Sequence, residues 1–169
     1  MDFSPNLSPK DVIQLGSFGG IYFYDNGGKL AIDSNEFPRD WFQGLDESQY
    51  KSQKYNRKVN YFKIKSGLSQ EEWEEKGWIN EQDPRGWFQW YCRYYLGRRT
   101  DDDSRQIQRW NNFCGEKGRW RNYIYSKIQK KSTTVDDHTF SLAVRQSLLH
   151  WGYMINKEDF SMWKLKNGF

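Results

Sequence analysis

The sequence is short of the features that announce most activities. Its apolar runs fall well below the roughly 20 residues that a bilayer-spanning helix needs, so no membrane partner is expected. Two cysteines and two histidines are too few for a standard zinc site, and their spacing matches none of the usual ligand patterns. There is no Gly-rich phosphate loop, no dinucleotide fingerprint and no nucleophile elbow, and neither metal nor cofactor is expected. The opening MDFSPNLSPKDV has neither the basic start nor the apolar stretch of a secretory leader. Cys92 and Cys114 each sit in an aromatic helical pattern. Packed, reduced thiols are therefore expected before a disulfide, with a cytoplasmic or nuclear location.

Aliphatic residues are also scarce, and the hydrophobic fraction of 36% alone would point towards disorder. The aromatics reverse that reading: 9 Trp, 11 Tyr and 11 Phe run along nearly the whole chain, and each buried ring removes a large apolar area from water. At 169 residues the chain has the size of a single globular domain, 1–169, with residues 1–14 read as a loose lead-in around Pro5 and Pro9.

Charge is unevenly spread. Residues 69–103 hold 5 basic and 9 acidic side chains, whereas residues 104–169 hold 12 and 5. A basic final third points to a polyanionic partner.

The expected fold is α+β, with an N-terminal β-hairpin or small sheet packed on about five helices. GGIYFYDNGGKLAID reads as the hairpin, an aromatic β-prone run turning at Asn26-Gly27-Gly28. EFPRDWFQGL predicts a short helical turn after Pro38. QYKSQKYNRKVNYFKIKSG reads as a strand region or ordered loop anchored by Tyr61 and Ile64. Ser69-Gln70-Glu71-Glu72 fits a capping box for a helix carrying Trp73 and ending at Gly77. Asp83-Pro84 reads as N-cap and first residue of a helix running to Gly97. Asp102 or Asp103 caps the next, which ends at Gly115. Two more are expected over 119–130 and 139–155.

The densest chemistry lies in DPRGWFQWYCRYYLGRRTDDDSRQIQRW. Helical spacing puts Arg85, Gln89 and Arg93 on one stripe, and Arg105, Arg109 and Asn112 on another. Arg98 and Arg99 join the two helices, so five to six guanidinium groups are expected at one corner. Two readings stay open there. The arginines and Asp101, Asp102 and Asp103 form a structural ion-pair network, or some arginines remain free to clamp phosphate or carboxylate bidentately. RQSLLHW at 145–151 echoes RQIQRW at 105–110. GRWRNYIYSKIQKK adds Arg119, Arg121, Lys127, Lys130 and Lys131 as outward cations over a Trp120, Ile124 and Ile128 core face. His138 reads as a loop residue, and His150 as a helical one with a weak claim to be a general base. The three aspartates would hold Mg²⁺ only with distant help from Glu72, Glu75 or Glu81.

The order G-x-YF, EFPxxW, GLSQEEWEEKGWI, DPRGWFQWYCRYYLGRR-x-DD-x-RQIxRW and RQSLLHWGY, over residues 19–155, resembles a family of proteins found in fungi, algae and large DNA viruses. The resemblance implies no activity and no catalytic residue. Occurrence in large DNA viruses points by association to nucleic-acid metabolism.

The leading expectation is a nucleic-acid-binding domain. Arg93, Gln89, Arg98, Arg99, Arg105, Arg109, Arg119, Arg121 and Arg145 would hold phosphate, and Trp87 and Trp90 would stack on bases. The alternatives are an enzyme acting on DNA or a nucleotide, with Asp102 or Asp103 as base, and a module that binds a protein partner through Trp and Arg hot spots.

Overall fold

A computed structural model describes residues 2–25, 32–67, 72, 75–77 and 79–169. Among them are six α-helices: α1 Pro9–Gln14, α2 Trp87–Tyr95, α3 Asp103–Cys114, α4 Arg119–Lys130, α5 Leu142–His150 and α6 Lys157–Lys166. Short 3-10 turns at Ser34–Glu36, Arg39–Phe42, Glu47–Gln49 and Arg57–Val59 punctuate the long region between α1 and α2.

The α+β expectation is wrong. No strand occurs among the described residues, where the only β-type pairing is an isolated bridge between Asn80 and Asp83. Residues 18–25 make tight turns, and the cause is local: Gly16, Gly19 and Gly20 all have positive φ, at 63°, 64° and 84°. Those angles curl the backbone where a strand would extend it. The carbonyls of Tyr22 and Tyr24, which a hairpin would give to a partner strand, accept from the Arg85 guanidinium at 3.0 and 2.5 Å. A Cβ on Gly19 would collide with the Tyr55 ring, and one on Gly20 with the Ser48 carbonyl. The Asn26-Gly27-Gly28 turn and Ser69, Gln70 and Glu71 of the capping box lie outside the described residues.

The lead-in is not loose. Ser8 and Asp11 form a capping box, Pro9 takes the first turn, and Val12 and Ile13 are buried. Upstream, Phe3 inserts among Trp87, Trp90, Tyr91, Tyr94 and Trp110 at centroid distances of 5.3 to 6.3 Å. Asn6 pairs twice with the Met154 backbone, and Leu7 N–H donates to Gly152 O.

Helix α2 is the axis of the core, burying Trp87, Phe88, Gln89, Trp90, Tyr91 and Cys92. It starts later than Asp83-Pro84 predicts: Gly86, at φ 87°, occupies the N-cap position, and Asp83 has another use described below. Trp110 and Cys114 of α3, Ile124, Tyr125 and Ile128 of α4, and Leu148 of α5 close the core around it. Cys92 and Cys114 are both free and buried, and burial pushes both thiols up in pKa. Helix α5 is shorter than expected. The unforeseen α6 docks on α4 through Phe160 stacked on Tyr125 and through the Trp163 indole N–H to Asn122 Oδ1, 2.8 Å. Tyr61 is exposed and does not anchor its segment; Asn60 does, accepting from Gly19 N–H and donating to Tyr55 Oη and Ile64 O.

Candidate functional site

The arginines expected at one corner are divided among separate tasks, most of them structural. Asp83 is fully buried, and its carboxylate receives Arg93 at 2.9 Å and Arg98 at 2.9 and 2.5 Å. Arg93 also makes a two-pronged contact with Glu36, at 2.6 and 3.0 Å, which raises its pKa. A buried carboxylate held by two guanidinium groups must stay paired, because an unpaired charge there is costly. Arg93 and Arg98 are therefore removed from the phosphate clamp: they tie α2 and the loop after it to the 34–36 turn.

Arg99 is exposed and closes the end of α2. It lies 3.7 Å over the Tyr94 ring and donates to the carbonyls of Tyr94 and Arg98, where a cation also meets the negative end of the helix dipole. Arg105 forms a two-pronged pair with Asp102, at 2.5 and 2.9 Å. That pair, helped by the Gln106 amide, holds the Asp102 carboxyl below its usual range. A carboxylate so held is a poor base. Asp103 accepts from the Trp90 indole N–H, Thr100 N–H and Thr100 hydroxyl, which makes it a staple between α2 and the start of α3. Neither aspartate presents a free oxygen for catalysis or for a metal, and no metal-ligating cluster occurs among the described residues.

Three more expected ligand residues face inward. Gln89 is fully buried, its Oε1 accepting from Arg85 N–H. Arg145 is 2% exposed and donates to the carbonyls of Val135, Asp137 and Phe140, bracing the loop before α5. Arg121 pairs with Asp159 at 3.3 Å and lies over the Tyr153 ring, locking α6 to α4. The stacking residues are also corrected. Trp87 is 2% exposed and Trp90 0%, so no base reaches either ring; both spacings read as an outward face are core. The echo between RQIQRW and RQSLLHW conceals opposite uses. Arg105 is outward and ion-paired, whereas Arg145 is buried on carbonyls.

His150 is no general base. Its Nε2 donates to Ser17 O at 2.6 Å, its ring stacks on Phe18, and burial lowers its pKa to about 4. Below that value alone does it carry a proton, so at neutral pH it is a neutral packing residue.

What remains outward forms a continuous surface across α3, the end of α5 and α4. Arg109 lies 5.4 Å over the Trp151 ring and donates to Gln106 Oε1. Burial and the neighbouring Arg105 lower its pKa. Trp151 stacks on Phe113 at 4.9 Å with 19° between planes, and the buried Trp87 supports it from beneath at 5.0 Å. Phe113 lies 6.2 Å from Trp120, and Trp120 5.6 Å from Tyr123. Each of the last two rings carries a cation: Arg119 is 4.8 Å over Trp120, and Lys127 is 5.5 Å over Tyr123. Lys130 and Lys131 are exposed at the end of α4. Arg119, Lys127, Lys130 and Lys131 form no ion pair among the described residues.

Helical geometry places this face. Arg119, Tyr123, Lys127 and Lys130 follow one another at i, i+4, i+8 and i+11, opposite the buried Ile124 and Ile128. The sequence has no acid between Glu116 and Asp136, which is the signal that separates this stretch from the aspartate-rich corner. Tyr123, Phe113 and Trp151 were not singled out as ligand residues from the sequence. Tyr123 was legible as the outward ring between two cations, but the meeting of Phe113 and Trp151 depends on the packing of α3 against α5.

No family model, curated protein or solved structure matches this chain.

Proposed function

We propose that the chain binds nucleic acid through the cation and ring surface of α3, α4 and Trp151, and not through the arginine corner at 83–105. The observation that carries the reading is the uninterrupted series Arg109, Trp151, Phe113, Trp120, Tyr123 and Lys127. From Trp151 to Lys127 it holds no carboxylate, Arg109 alone being linked through Gln106 to Asp102, and it is extended by the unpaired Lys130 and Lys131. Cations without acid partners attract phosphate and release its counterions, and adjacent rings offer surface to bases.

Fluorescence anisotropy of labelled oligonucleotides tests this. With four cations engaged on a single strand, affinity should fall about 50-fold between about 50 and 200 mM salt. Replacing Lys127, Lys130 and Lys131 by alanine should flatten that dependence. Salt-insensitive binding, or none at low salt, would sink the reading.

A protein-docking reading has one observation in its favour: Met162, Leu165 and Phe169 are exposed along one side of α6 and just beyond it. It predicts concentration-dependent self-association or partner binding that Leu165→Ser abolishes, and sedimentation across a concentration series checks the former.

A further inference from the structure

We propose that the strand taken by this surface is unpaired, and that the surface is blind to the sugar. The inference rests on the nucleic-acid reading and adds the class of ligand. In a duplex the base faces are stacked on one another, and only their edges reach a groove. An outward ring such as Tyr123 therefore gains nothing from a paired base, whereas an unpaired base offers a face to stack.

Beyond its lysines and Gln129, the outward face of α4 offers little for groove reading. Edge recognition uses amide or guanidinium forks projecting from the helix. Arg119 instead lies across the Trp120 ring, and Asn122 is spent on Trp163 and on the carbonyls of Glu116 and Gly118. On α3, Gln108 donates to Asn112 at 2.7 Å, which holds the two amides against each other along the helix. What α4 presents is ring beside cation, twice: Trp120 with Arg119, and Tyr123 with Lys127. A base that takes the cation's place over either ring brings its own phosphate to that displaced cation, and Lys130 and Lys131 meet the phosphates that follow. None of these groups is placed to select for a 2′-hydroxyl, and DNA and RNA strands share the phosphate and the base face.

Tyr123 gives the cleanest test, because it is 38% exposed and its side chain lies on the outer face of α4, away from the core. Anisotropy is measured with labelled single strands of about 12 nucleotides as DNA and as RNA, and with the matching DNA duplex. The proteins are wild type, Tyr123→Ala and Tyr123→Phe, with thermal melts confirming equal folding. Expected are single-strand binding at least about ten-fold tighter than duplex binding, and DNA and RNA within about three-fold of each other. Tyr123→Ala should lose about ten-fold on single strands and nothing on duplex, and Tyr123→Phe, which keeps the ring, should bind as wild type. Equal binding of duplex, or a Tyr123→Ala protein indistinguishable from wild type on single strands, overturns the unpaired-strand inference and leaves the nucleic-acid reading standing. A ten-fold preference between DNA and RNA overturns its sugar-blind part. Absence of any binding at low salt removes both readings together.

Discussion

Around Asp83 and along α4 the chain uses the same residue types to opposite ends. In the first region arginines meet carboxylates and carbonyls within hydrogen-bond distance: Arg93 and Arg98 on Asp83, Arg93 on Glu36, Arg105 on Asp102. In the second, Arg119, Lys127 and Lys131 lie over rings, Lys130 is exposed, and none of the four forms an ion pair among the described residues. Cation density is therefore a poor guide to a polyanion site. The number of acids interleaved with the cations separates a staple from a surface, because a guanidinium neutralised by carboxylates gains less from an added phosphate.

The largest effect should come from breaking the first region. Asp83→Ala leaves Arg93 and Arg98 without their buried partner and should cost about 3–5 kcal/mol of stability in chemical denaturation. A folded Asp83→Ala protein that simply binds nucleic acid less well would return the function to that corner. Next comes the converse on α4. Lys127→Ala, Lys130→Ala and Lys131→Ala combined should weaken nucleic-acid binding by about 100-fold at low salt, while stability moves by less than about 0.5 kcal/mol, as expected for surface positions.

A smaller effect separates fold from binding by pH. His150 is neutral in the fold, with its pKa lowered to about 4 by burial. The unfolded chain binds a proton below its ordinary value of about 6.5, so stability is lost as pH falls from there towards 4. Urea denaturation should show about 2 kcal/mol less stability at pH 5 than at pH 7, and His150→Phe should remove most of that slope. Binding by the folded fraction should persist, because His150 lies outside the α4 surface. The smallest effect is assigned to Arg99→Ala, which loses a helix-end contact: a change within about 0.5 kcal/mol in the melt, and unchanged binding.

Local chemistry was legible in the sequence where it needed no distant partner. The bounds of α4 follow from its apolar period. The end of α3 at Cys114 follows from Gly115, and the Pro38 turn from its own residues. Asp83 was misread because Asp-Pro is also a sound helix start; only Arg93 and Arg98, ten and fifteen residues on, make it a buried ion partner. The hairpin failed for a related reason. Aromatic, β-prone side chains were read ahead of three glycines whose backbone angles depend on contacts with Ser48, Tyr55 and Val59. Trp87 and Trp90 show the same limit: in a chain with few aliphatics, rings fill the core, and composition does not say which ones.

The seating of residues 3–17 has a consequence for the order in which the fold assembles. Asn6 closes two hydrogen bonds with Met154, Ser17 O receives His150 and Gln146, and Phe3 lodges against Trp110. Asn6 and Ser17 thus find partners 129 to 148 positions further along the chain, and closure of a loop of that length must precede their docking. Docking of residues 6–17 against α5 and the turn after it is therefore a late step of folding.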